Sequence, residues 1–220
     1  MKNSKSLRAS QKRKQRIKQK RNKETTKQNL QVNNPPQQQL ISLFEHYQNG
    51  RYSDAEKLAL SITQKFPNHQ FAWKVLGSVL KQTGRIVDSL TAAQKSVKLA
   101  PQDAEAHNNL GVTLLQLGRV DAAEDHFRKA VALKPDYAES LFNLGNVSQK
   151  RGRIEEAEAT YKRALALKPD FTEAHNALGN MLKSAGRLDE CVGSYEPVSY
   201  THLRAHETRE DRGWRGGGGK

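Results

Sequence analysis

Cysteine is nearly missing from this chain. Cys191 is the only one among 220 residues, so no disulfide can close within the chain and no cysteine-based metal cluster is available. Long apolar runs are missing too. No stretch approaches the roughly 20 apolar residues that a membrane-spanning helix needs, and the basic N-terminus is not followed by the apolar segment of a secretory signal. A cytoplasmic location is the default expectation. Paired carboxylates, a nucleophile beside its base and a phosphate-cradling glycine loop are also absent, so catalysis, a cofactor or a metal is not expected of these residues. Hydrophobic residues make up only 35% of the chain and charged residues 27%. That is polar for one compact globule but suits a stacked helical array with tails, where much surface stays wet.

What is present is distributed unevenly. The formal charge is +14, yet residues 1–28 alone carry twelve Lys or Arg against one acid, Glu24. The middle of the chain, 29–197, is close to neutral. Residues 1–39 therefore read as a disordered basic arm: KRKQRIKQKRNK has Ile17 as its only apolar residue, and Pro35 and Pro36 stop any helix before the next segment. Such an arm attracts polyanions in a salt-dependent way. It has no aromatic residue for stacking on bases and no apolar face for membrane insertion, so weak, non-specific contact is the most it implies.

From Leu40 onward the chain repeats itself. Gly50, Gly84, Gly118, Gly152 and Gly186 fall at a strict interval of 34, as do Pro67, Pro101, Pro135 and Pro169. Gly77, Gly111, Gly145 and Gly179 keep the same interval, each preceded by leucine. One unit, 138–171, shows the physics. Leu141, Leu144 and Val147 form a helical stripe, and Gly152 supplies the left-handed residue that ends the helix. Glu155 and Glu156 favour the start of a second helix, whose stripe runs Ile154, Ala157, Tyr161, Ala164, Leu165. Pro169 ends it, and Asp170 with Glu173 predicts a capping box for the next helix. Gly145 predicts a close helix approach, with Ala157 as the small residue facing it. Neither helix buries its stripe alone, so neighbouring units must stack.

This pattern resembles the tetratricopeptide repeat (TPR) family over roughly residues 36–196. Trp73, Leu76, Gly77, Leu80, Gly84 and Pro101 carry the motif in one unit. Leu110, Gly111, Leu114, Gly118, Ala123, Phe127, Ala130 and Pro135 carry it in the next, and Leu144, Gly145, Gly152, Ala157, Tyr161, Ala164 and Pro169 in a third. The resemblance implies an all-α fold, a right-handed TPR α-solenoid of antiparallel helix pairs. The units are 40–69 (degenerate, with Ser42 and Leu43 where Leu-Gly is expected), 70–103, 104–137, 138–171 and a truncated 172–196, whose Leu178 and Leu182 would lack packing partners.

The family presents its first helices along a concave groove that holds a peptide or a partner helix. Carried over position by position, the candidate partner-binding residues are Lys74, Asn108, Asn109, Asn143, Asn146, Asn176 and Asn180. An amide both donates to and accepts from a peptide backbone. Asn109 and Asn143 match the asparagine ladder of O-GlcNAc-transferase-type repeats, while Val75 and Ala177 interrupt it. A carboxylate clamp is not expected, because Ser78, Glu139 and Asn143 stand where it needs Asn, Lys and Arg. His107 and His175 occupy the place of Trp73 and read as packing residues, Cys191 as a small core filler. His46, His69 and His126 show no shared geometry.

Residues 197–220 break the pattern. VSYTHLRAHET resembles one reading frame of a transposase-based sequencing-library adaptor, and Gly216–Gly219 resembles translated no-signal base reads. Native sequence is expected to end near Glu196, which leaves the spacing of His202 and His206 without meaning. The resemblance implies a protein–protein interaction scaffold. Its alternative is the substrate-selecting N-terminal region of a larger enzyme, an O-GlcNAc-transferase-like glycosyltransferase, a sulfotransferase or an oxygenase.

Overall fold

The structure, a computed structural model, describes residues 34–187. The chemistry expected of residues 1–33, the second helix of the last repeat with Cys191, and the adaptor-like tail lie outside the described residues. Among those described there are nine helices and no strands: α1 (Gln37–Gln48), α2 (Tyr52–Lys65), α3 (Gln70–Gln82), α4 (Ile86–Leu99), α5 (Ala104–Gln116), α6 (Val120–Leu133), α7 (Ala138–Lys150), α8 (Ile154–Leu167) and α9 (Thr172–Ser184). The architecture is all-α, a helical-repeat solenoid in which each 34-residue period supplies one antiparallel pair.

The turn inside each pair follows from its glycine. Gly50, Gly84, Gly118, Gly152 and Gly186 all take φ between 69° and 79°, a conformation a side chain would strain. The turn then closes twice. In α3 the Gly84 N–H donates to Lys81 O and the Arg85 N–H to Leu80 O, which satisfies carbonyls the helix end leaves open. The same two bonds recur at the ends of α1, α5, α7 and α9.

The described residues divide into two compact units, the first ending at Leu99 and the second beginning at Ala100. In the first, α1 pairs with α2 and α3 with α4, and α2 packs on α3. Leu43, Ile62 and Val79 are fully buried in its core, beside Ala55, Ala59 and Leu76. In the second, α5 pairs with α6 and α7 with α8, and α9 lies against α8. Its core holds Phe127, Tyr161 and Leu141, all fully buried.

Four expectations change in the structure. Helix α1 starts at Gln37, inside the stretch 1–39 assigned to the arm. Pro36 stands at its N-cap and accepts from the Gln39 and Leu40 N–H groups, so the proline that forbids a preceding helix opens this one, where its missing N–H costs nothing. Asp170 does not cap α9, whose N-cap is Phe171 without a side-chain bond. The cap appears two repeats earlier, where Asp103 accepts from the N–H groups of Glu105 and Ala106. Gly145 makes room for Tyr161 rather than Ala157: a Cβ there would lie 2.6 Å from the ring. Leu178 and Leu182 keep their cover, 4% and 2% exposed, in a cluster with Ala157, Tyr161 and Met181.

Candidate functional site

The expected binding residues divide between the two units. Lys74 lies half-buried on α3 in the first unit, and its backbone carbonyl accepts from Ser78 Oγ. The six asparagines lie on α5, α7 and α9 of the second, at positions that helical spacing places toward one side of each helix.

Two of them meet directly. Asn143 Nδ2 donates to Asn108 Oδ1 at 3.0 Å, which ties α7 to α5. Asn108 is 6% exposed, and its own Nδ2 reaches the Tyr137 hydroxyl at 3.5 Å. From this buried position it holds the Asn143 side chain, beside the Tyr137 hydroxyl. Asn146 is half-buried like Asn143, and its Oδ1 accepts from the Tyr161 hydroxyl at 2.7 Å. Gln149 Oε1 lies 2.9 Å from the same hydroxyl. A phenol carries one proton, so one of the two amides must turn its NH2 toward the ring oxygen. Burial pushes the Tyr161 phenol up to about 12, so it stays protonated. Asn109 and Asn143 are half-buried, and Asn176 and Asn180 are exposed.

Beside the amides lies a cleft of about 690 Å3 lined by Asp103, Glu105, Lys134, Tyr137 and Glu139, among others. Burial, and then the charges of Glu105, Glu139 and Asp103, push the Tyr137 phenol up to about 12. The carboxylates have work within the fold: Asp103 caps α5 and Glu139 pairs with Lys168 at 3.4 Å.

The rings at the Trp73 position do more than pack. Trp73 Nε1 donates to Pro67 O at 2.8 Å. His107 Nε2 meets Pro101 O at 3.0 Å and His175 Nε2 meets Pro169 O at 2.8 Å. A carbonyl only accepts, so both histidines carry their proton on Nε2. In three repeats a ring N–H thus ties the first helix to the proline turn before it, a bond that Leu141 cannot make in the fourth. His126, which sequence spacing left unrelated to any other histidine, stacks on His107 with Nδ1 to Nδ1 at 2.9 Å. Because His107 Nδ1 has no proton, His126 Nδ1 must donate. Burial, and then the nearby His107 and Lys129, lower the His126 pKa.

An arginine follows every turn glycine: Arg51, Arg85, Arg119, Arg153 and Arg187. Three of them reach a glutamate 29 residues earlier, Arg85 to Glu56, Arg153 to Glu124 and Arg187 to Glu158. Glu124 is 2% exposed and is also met by Arg128 and Arg151, so its charge is compensated where water cannot reach it. This 34-residue arginine series was visible in the sequence and explains how successive pairs are stitched together.

Among the described residues no group of three or more His, Cys, Asp or Glu could hold a metal ion, and no helix is long and apolar enough to cross a membrane. Tetratricopeptide repeat models match residues 45–104 and 102–170. No curated protein sequence matches. Among solved structures, a crystal structure of MamA is 24% identical with a TM-score of 0.64, covering 74% of this chain and 95% of that one. MamA from Desulfovibrio magneticus RS-1 is 19% identical with a TM-score of 0.64, over 76% of this chain and 96% of that one. A thermophilic TPR protein from Thermus thermophilus is 25% identical with a TM-score of 0.65, over 80% of this chain and 95% of that one. Helix pairs in a 34-residue register, the glycine turns that close them and matching family models over most of the described residues lead to one conclusion: this chain belongs to the tetratricopeptide repeat family.

Proposed function

We propose that this protein is an interaction scaffold that holds peptide or helical segments of protein partners against the faces formed by the first helices of its repeats. The observation that carries this reading is the amide pair of Asn108 and Asn143. A buried asparagine there fixes the side chain of a half-buried one, so the amide offered by α7 is preorganised rather than floppy, which lowers the cost of binding. Asn109 extends that face on α5, and Asn176 and Asn180 continue it on α9. Lys74 offers a charge on the corresponding face of the first unit. Asn108 and Asn146 serve as the supports.

The test is to select a peptide from a random library against the full chain and map its contacts by amide chemical-shift changes. Shifts should gather on α5, α7 and α9, and Asn143→Ala should weaken the peptide by about tenfold, the cost of one well-placed polar contact. Shifts confined to α6 and α8 would reject this reading.

A further inference from the structure

The first unit carries a surface of which the amide reading uses only Lys74. Ile41 and Phe44 on α1 are 42% and 43% exposed, although both are large and apolar and α1 has Leu43 fully buried on its other side. Phe44 meets the half-buried Phe71 of α3, ring centroids 6.3 Å apart. This contact brings the stripe Ile41–Phe44 of α1 beside the stripe Phe71, Lys74, Ser78, Lys81 of α3, which helical spacing places along one side. Exposed apolar groups gathered in this way mark an interaction surface more often than scattered ones do.

Within α3 the charges have one sign. Helix α3 contains no acidic residue, and Lys74 and Lys81 are its only charged groups. Glu45 is the one acid in α1, exposed and one residue past Phe44. Both lysines are half-buried, and burial holds the Lys81 ammonium below its ordinary pKa. A cation already stripped of part of its water gains more from an incoming carboxylate than a fully hydrated one does.

We infer that the face formed by Ile41, Phe44, Phe71, Lys74 and Lys81 binds an acidic amphipathic segment of a protein partner, with bulky apolar side chains against the rings and carboxylates toward the lysines. Two other occupants fit the charge less well. The arm 1–28, with twelve basic residues against one acid, is repelled by the same lysines. A second copy docking through the same face would set Lys74 and Lys81 against their own kind, as two-fold symmetry requires. The inference rests on the reading that first-helix faces hold partner segments, and it assigns the chemistry of the segment at this one.

The test uses the full chain and a fluorescent synthetic helical peptide with Leu and Phe along one face and Glu along the other. Its controls are the same peptide with Lys for Glu, and a scrambled acidic peptide of identical composition. Fluorescence anisotropy at physiological ionic strength should show saturable binding of the acidic amphipathic peptide alone. Phe44→Glu and Lys81→Glu should each weaken it by about tenfold, as expected at the centre of a small interface. Ile41→Asp, also at an exposed position, repeats the apolar test should Phe44→Glu disturb the fold. Equal binding of the scrambled peptide would trace the affinity to the arm's charge and overturn the inference. So would equal binding of the lysine peptide, unchanged binding by all three variants, binding that appears only after residues 1–33 are removed, or a sedimenting dimer that Phe44→Glu dissociates. Asn143→Ala separates the two readings. If it weakens the library-selected peptide while the three variants leave the acidic peptide unaffected, this inference alone fails.

Discussion

The two units fill the same space inside their helix pairs with opposite choices. In the second, glycine on the first helix faces a ring on the second: Gly111 lies under Phe127 and Gly145 under Tyr161, each too close for a Cβ. In the first, the pair at the corresponding positions is Leu43 and Ala59, both fully buried, so the bulk has moved to the other helix. The next pair, Gly77 and Ala93, is small on both sides, and the backbones come close enough that a Cβ on Gly77 would lie 3.3 Å from Ala93 N. There Ser89 Oγ donates to Gly77 O at 2.8 Å. What a packed pair requires is a summed volume, and the motif residues are one way of dividing it. Side chains divide along the same line, with Phe44, Tyr47, Phe71 and Trp73 on the first unit's first helices and the asparagines on the second's.

The strongest test of this comparison exchanges the arrangements. Phe127→Ala alone should cost about 3 kcal/mol through the cavity it opens, and Gly111→Leu alone a similar amount through overpacking. Combined, they reproduce the Leu43 and Ala59 arrangement in the second unit, and denaturant titration should show much of the loss recovered. A double variant as unstable as the sum of the singles would break the comparison.

Next in size is the buried carboxylate. Glu124→Gln leaves Arg128, Arg151 and Arg153 facing one another, and it should cost about 2 kcal/mol once the half-exposed arginines are discounted for solvent. Glu56→Gln, at the corresponding place in the first unit with 20% of the side chain exposed, should shift the denaturation midpoint less. An equal or larger shift there would contradict this ranking.

A smaller effect separates the units by pH. The His126 pKa lies below its ordinary value, so the unfolded chain takes up this proton first. The neutral pair therefore contributes its full stability above about pH 6.5, the ordinary histidine value, and loses it as pH falls through that value toward the lower folded one. A first proton fits on His126 Nε2 with the bridge to His107 intact. Amide protection factors in α5 and α6, corrected for the intrinsic pH dependence of exchange, should thus fall on mild acidification, and His126→Gln should remove that slope. In the first unit His69 is lowered by burial alone, without a partner ring. Smallest of all, Trp73→Phe keeps the ring but deletes the donor to Pro67 O, a loss of about 1 kcal/mol, read as a modest drop in thermal midpoint. No change would show that the bond is replaced by water.

Much of this was legible from residue types. Glycine and proline series announce helix ends because φ and the missing N–H act locally, whatever packs around them. The asparagines were legible as a set, but not which of them the fold buries. Whether Asn108 or Asn143 is the buried one depends on how α5 and α7 lie side by side. Asp170 misled for a similar reason: a one-residue shift in where α9 starts moves the cap position onto Phe171.

The sequence by itself determined the all-α repeat, its register and the places where each helix turns, since these depend on backbone chemistry within a few residues. Only the tertiary structure decided which side chains share a cavity, which asparagine is buried, that His126 bridges to His107 and that Arg151 and Arg153 close on Glu124. Those contacts join positions that no local preference links; they exist only once neighbouring helices have excluded water from between them.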